Sequence, residues 1–179
     1  DVIYAMVDFM SQRKGIGMMM PKILNEDGTV QNLPKLLPSP YSIVMRKLKR
    51  PKNIYNTFID RYELRTIPED VIYDAPILSG CFTLLNLEAI KEIGMYDDKF
   101  FMYFEDVDLC RRTWESNWKI HFVPSAVFVH YHQRESMIRA PWQLFTNRLT
   151  RIHIQSAIRY FLKVARNRDR RMAVPTEAS

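Results

Sequence analysis

In the stretch Tyr96-Asp97-Asp98-Lys99-Phe100-Phe101-Met102-Tyr103-Phe104-Glu105-Asp106-Val107-Asp108-Leu109-Cys110-Arg111-Arg112, an aromatic run gives way to three carboxylates and then to a helical pattern. The spacing predicts a loop over 95–104 and a helix from about Glu105 to Ser116, with Glu105, Asp106 and Asp108 in its first turn. Two readings of that cluster stay open. Carboxylates in a first turn complement the partial positive charge of the helix N-terminus, which is a purely structural role. A carboxylate held beside aromatic rings can also be tuned to take a proton from a hydroxyl, which is general-base chemistry.

Outward from this stretch, elements alternate. Upstream, Ile77 to Asn86 is an apolar run carrying Gly80 and reads as a buried strand, and Leu87 to Ile93 reads as a short helix stopped by Gly94. Downstream, Trp118 to Val123 and Ala126 to His132 read as two strands, and Trp142 to Arg166 as a long helix with an apolar stripe. The first fourteen residues read as an amphipathic helix with Val2, Met6, Phe9 and Met10 on one stripe. Ile16 to Leu24 follows as a buried strand, and Asn25 to Gly28 as a tight turn. From Asn32 to Asp74, Pro34, Pro38, Pro40, Pro51 and Pro68 break every period, so the segment reads as one long irregular connection. Strands alternating with short helices predict an α/β layered fold with a mixed sheet.

A chain of 179 residues can bury a real core, and 47% hydrophobic with 26% charged residues is a globular balance. No run is long and apolar enough to cross a membrane, and the opening residues carry no secretory pattern. Cys81 and Cys110 are too few for a disulfide framework and read as reduced core residues of a cytosolic protein. A net charge of +6 calls for an anionic partner or surface without saying which. The lysines and arginines form no nucleic-acid-binding motif, so a nucleic-acid partner is not expected.

The end of the predicted strand Ala126 to His132 holds His130 and His132, which period-two geometry puts on one face. Two histidines are a structural pair or part of a metal site, and Mn2+ would suit them if acidic ligands came from elsewhere. Ser79-Gly80, Ile93-Gly94-Met95-Tyr96-Asp97, the Glu105-Asp106-Val107-Asp108 cluster, Trp118, Val123-Pro124 and Val129-His130 also occur in one order and spacing. That series resembles the C-terminal half of family 2 glycosyltransferases with the GT-A fold, and is most similar to their rhamnosyltransferase-like branch. The resemblance implies an inverting sugar transfer from a nucleotide-sugar to a saccharide or lipid-linked saccharide acceptor. It implies that Asp106 is the base, with Glu105 positioning the site. Ser79, Gly80, Asp108 and Arg112 are placed on the substrate side, Asp108 as a helix or supporting contact. His130, 24 residues after Asp106, becomes the better candidate ligand for a divalent metal, Mn or Mg, with His132 as the alternative. Asn117 stands where relatives often have glycine before Trp118.

The resemblance also implies what is not here: the strand, glycine-rich turns and Asp-containing metal motif that bind the nucleotide in such enzymes. The expected organisation is therefore an incomplete GT-A-like sheet over 1–140, a basic amphipathic helical extension over 141–166 and a disordered tail over 167–179. Arg148, Arg151, Arg159, Lys163 and Arg166 flank the apolar stripe of the last helix. They form a solvated basic face or a peripheral contact with an anionic membrane, at the cytoplasmic side where lipid-linked acceptors reside. Self-association into a homo-oligomer stays open. The competing function is a non-catalytic binding or scaffolding domain derived from such an enzyme.

Overall fold

Ile16 to Leu24 is apolar almost throughout because it is covered on both faces, and it forms β1, one of two central strands. The structure is a computed structural model and describes residues 2–48, 51–131 and 147–166. Before β1 lies helix α1 (Val2–Ser11), and after it come α2 (Pro40–Leu48), α3 (Lys52–Tyr62) and the short strands β2 (Tyr73–Asp74) and β3 (Leu84–Leu85). Helices α4 (Leu87–Ile93) and α5 (Glu105–Glu115), strand β4 (Lys119–Val129) and helix α6 (Arg148–Arg166) complete the order.

The sheet runs β2-β4-β1-β3. β1 and β4 are parallel, while β2 on β4 and β3 on β1 are antiparallel, so the expected mixed α/β sheet is present. Side chains of β1 alternate between two cores. Met18 and Met20 join Ile120, Phe122, Leu78, Leu109, Cys110 and Trp114 under α5, and Ile16 and Met19 join Met6 of α1, Val123 and Ala126 on the other face. Burying a side chain such as Leu109 or Ile120 fully is worth about 1.5–3 kcal/mol. Gly17 lets the layers close, since a Cβ there would lie 2.9 Å from the Trp118 Cβ and 3.0 Å from the Thr113 Cγ2.

The structure differs from the sequence expectations in three places. Residues 32–74 are not one irregular connection, because α2, α3 and β2 lie within them. Pro40 opens α2 and Pro51 is the N-cap residue of α3, positions where a missing N–H costs nothing. The apolar run 77–86 contributes only Leu84–Leu85 to the sheet, plus a single bridge between Ile77 and Lys35. Its buried residues are covered by α5, not paired as a strand. The two strands expected around Pro124 are one strand, β4. Its pairing with β1 jumps from Pro21↔Val123 to Lys22↔Val127, and the bulge absorbs Pro124 and its missing donor. The expectations for residues 141–146 and for the tail 167–179 fall outside the described residues.

Candidate active site around Asp106

The carboxylate cluster sits where the chain is bent into α5. Tyr103 and Phe104 both take left-handed backbone angles, with φ of 66° and 68°. Each such non-glycine residue costs on the order of 1 kcal/mol or more and persists only where its surroundings enforce it. Here Phe104 is buried against Ala157 and Tyr160 of α6, which clamps the bend and turns the next residues inward.

Asp106 is half-buried at the second position of the helix. Its Oδ1 accepts from the Val107 N–H at 2.8 Å, and its Oδ2 accepts from the Gly80 N–H at 3.3 Å. Burial pushes its carboxyl above the ordinary range, against those two donors and the nearby charge of Lys35. Glu105 is raised as well, by burial and then by the charge of Asp106. Its Oε2 is sealed from solvent without a hydrogen-bond partner among the described residues. Carboxyls whose proton affinities are lifted by desolvation are candidates for proton transfer.

Ser79 and Gly80 lie on the turn facing this carboxylate. The Ser79 carbonyl accepts from the Thr83 hydroxyl at 3.2 Å, which fixes the turn, and a Cβ on Gly80 would stand 4.0 Å from the Asp106 Cβ. The structure therefore brings Glu105, Asp106, Ser79 and Gly80 together. It adds two groups that sequence reasoning missed. Tyr96 is close enough that Asp106, after burial, raises its phenol. Lys35 exchanges both backbone hydrogen bonds with Ile77 at 3.1 Å and sets its ammonium near Glu63 (3.7 Å) and Asp106. The one sequence signal for Lys35 was its flanking by Leu33, Leu36 and Leu37, which pack on the main core and anchor that strand-like turn.

Asp108 and Arg112 have internal partners. The Asp108 carboxylate is 2% exposed, held by the Arg112 Nε at 2.8 Å and the Lys163 Nζ at 2.7 Å. Arg112 also donates to the carbonyls of Ile93, Gly94 and Met95 at 2.6, 3.0 and 2.7 Å, closing the C-terminal end of α4. Lys163 turns inward to Asp97 (2.7 Å) as well as Asp108, so it does not belong to the outer basic face of α6 where the sequence had placed it. Burial lowers its proton affinity, but the two carboxylates overcome this and hold its ammonium above the ordinary range. Asn117, in the position where glycine was expected, has φ of 62°, a left-handed turn that asparagine tolerates.

His130 follows β4 directly. Its carbonyl accepts from the Gln31 amide at 2.7 Å, and its Nδ1 faces the Gln31 Oε1 at 3.4 Å. His132 lies outside the described residues. Among the described residues, no three of His, Cys, Asp and Glu come together as a metal centre. Cys110 is free and buried, its thiol pushed up to about 12 by burial, and Cys81 is free and half-buried. No described helix is long and apolar enough to cross a membrane.

No family model matches the chain. Over 141 residues, 78% of its length, the chain is 30% identical to the N-acetylglucosaminyl-diphospho-decaprenol L-rhamnosyltransferase of Mycobacterium tuberculosis, in both the CDC 1551 / Oshkosh and H37Rv strains. It is 29% identical over 100 residues, 54% of its length and 36% of the relative's, to rhamnosyltransferase WbbL of Escherichia coli K12. Among solved structures it is similar to GalNAc-T7 with UDP, GalNAc and Mn2+, at 15% identity and a TM-score of 0.46 over 87% of this chain and 29% of that one. That structural likeness is too loose to argue from. The sequence matches make the chain similar to rhamnosyltransferases over most of its length, and it spans 45% of the length of the mycobacterial relatives.

Proposed function

We propose that the protein supplies the acceptor side of an inverting sugar transfer. A deoxyhexose of the rhamnose type moves from a nucleotide-sugar to a saccharide carried on a lipid diphosphate. One observation carries this reading beyond the similarity to rhamnosyltransferases. The Asp106 carboxylate is fixed by two backbone donors at 2.8 and 3.3 Å, is raised in proton affinity by burial, and lies behind two residues held in left-handed conformations.

In the proposed step, Asp106 accepts the proton of an acceptor hydroxyl as that oxygen attacks the anomeric carbon of the donor. The bond from that carbon to the nucleoside diphosphate breaks, and the configuration inverts. Glu105, one residue earlier and itself raised by burial and by the charge of Asp106, would help position the site. Ser79 and Gly80 shape the floor on which the acceptor hydroxyl is presented. Tyr96, partly exposed at the rim, offers its ring and hydroxyl to a sugar. Asp108 and Arg112 act beneath the site by fixing α5 to α4. A divalent cation, Mn2+ or Mg2+, would neutralise charge on the departing diphosphate. His130 would supply one imidazole to it. The outer face of α6 would rest against an anionic membrane at the cytoplasmic side.

The test is transfer of labelled rhamnose by the intact protein from a nucleotide-rhamnose to N-acetylglucosamine linked to a lipid diphosphate, with the product's anomeric configuration read by NMR. An inverted product supports the reading. A retained configuration, or donor binding with no transfer to any acceptor, sinks it, the latter in favour of a binding domain.

A further inference from the structure

The basic residues near α5 and α6 divide into two groups. Arg111 is paired with Glu115 at 2.7 Å, Arg112 with Asp108 at 2.8 Å, and Lys163 with Asp97 and Asp108 at 2.7 Å each. Arg148, Arg151 and Arg159 form no salt bridge with any described carboxylate. These three arginines nevertheless converge. With Gln155, Ile152 and Phe101 they line a groove of about 480 Å³ between α6 and the loop before α5. Three like charges around a concavity repel one another, and an anion with several oxygens relieves that repulsion. Guanidinium forks pair with the oxygens of carboxylate and phosphate alike, and three of them suit the greater charge and oxygen count of a diphosphate.

The groove's surroundings narrow the class. Along the same helix, one turn apart, Ile154, Ile158 and Leu162 are 39, 55 and 54% exposed, an apolar stripe beside the arginines. Phe101, 74% exposed, forms the opposite wall. A ligand that satisfies both features carries phosphate charge next to a hydrocarbon chain. The wall is also tied to the site. Ser156, buried at the groove floor, donates to the Met102 carbonyl at 2.8 Å, and the His153 ring packs 4.9 Å from Tyr103 and 5.6 Å from Phe104. Phe101 precedes Asp106 by five residues, so no more than about 18 Å of chain separates them.

We propose that the Arg148–Arg151–Arg159 groove binds the diphosphate of the lipid-linked acceptor, with its hydrocarbon chain along Ile154, Ile158 and Leu162. This assignment rests on the acceptor class proposed above, and it makes α6 the element that delivers the acceptor sugar to Asp106. It also explains why an otherwise surface helix is bolted to the site's own loop by Lys163, Ser156 and Tyr160.

The test measures binding of farnesyl diphosphate to the intact protein by calorimetry, with inorganic pyrophosphate as competitor. The variant combining Arg148→Gln, Arg151→Gln and Arg159→Gln is expected to weaken binding about tenfold or more, because charge-assisted hydrogen bonds are lost. Its melting temperature should match the unaltered protein, since all three side chains are exposed. Ile154→Ser with Ile158→Ser should weaken farnesyl diphosphate but not pyrophosphate. Asp106→Asn should leave both unchanged, so binding is scored independently of sugar transfer. Unchanged affinity in the triple variant overturns the assignment. So does failure of the unaltered protein to bind farnesyl diphosphate while it sediments, through the same arginines, with vesicles of phosphatidylcholine and phosphatidylglycerol. That second result would make the groove a contact for bilayer charge.

Discussion

Replacing Asp108 by asparagine should unfold the support of the site while leaving its chemistry untouched. The Asp108 carboxylate is 2% exposed and lies between Arg112 and Lys163 at 2.8 and 2.7 Å. Removing one partner from a buried ion pair costs about 3–5 kcal/mol, because the other charge is left in a poor solvent. Two features reduce that figure here. Lys163 keeps Asp97 at 2.7 Å and is about a third exposed, and Arg112 keeps three carbonyls at 2.6 to 3.0 Å. The expected loss is therefore about 3 kcal/mol, or roughly 6–12 °C in melting temperature for a chain of this size. Lys163→Met leaves the Asp108–Arg112 pair in place and should cost about 1–2 kcal/mol. Urea unfolding followed by circular dichroism gives both values, and the double variant gives the coupling. If Asp108→Asn left stability within about 0.5 kcal/mol of the unaltered protein and instead raised KM for the acceptor, Asp108 would be a substrate contact and this assignment to the frame would be wrong.

Two further outcomes follow from the geometry. The Lys35 ammonium favours the ionised form of Asp106, so Lys35→Met should raise that carboxyl's proton affinity further and move the acidic limb of the pH–rate profile to higher pH. A limb that stays put or moves to lower pH would remove Lys35 from the site. Gly17→Ala should cost about 1–3 kcal/mol in urea unfolding. Its Cβ would meet Trp118, Thr113 and Ala89 at 2.9, 3.0 and 3.3 Å, so unchanged stability would mean that β1 and α5 pack less closely than described.

What the sequence disclosed and what it hid divide by the range of the interactions. β1, α4 and α5 were legible almost to the residue because each carries its own local signals. These are a doubly buried apolar run, Asn86 capping the Glu88 N–H at 2.9 Å with Gly94 at φ 79° closing the helix, and carboxylates in a first turn. Helices α2 and α3 were missed because prolines were read as breakers where they act as helix starts. The run 77–86 has a strand's composition, but α5 and not a neighbouring strand covers most of it, and no local pattern distinguishes those two kinds of burial. Similarly, Glu105 and Asp106 announced themselves, whereas the approach of Gly80 across 26 residues and of Lys35 across 71 is a product of topology alone. The inward turn of Lys163 was hidden for the same reason, since its partners Asp97 and Asp108 are more than fifty residues away.

The most direct measurement is sugar transfer by the intact protein carrying Asp106→Asn, with donor affinity measured alongside. The exchange keeps the size of the side chain and one acceptor oxygen for the backbone donors, but it removes the group that takes the proton. The account predicts a loss of turnover of about a hundredfold or more with donor affinity unchanged. Turnover within a factor of about two of the unaltered protein would return Asp106 to the role of a helix-terminal carboxylate and contradict the central assignment.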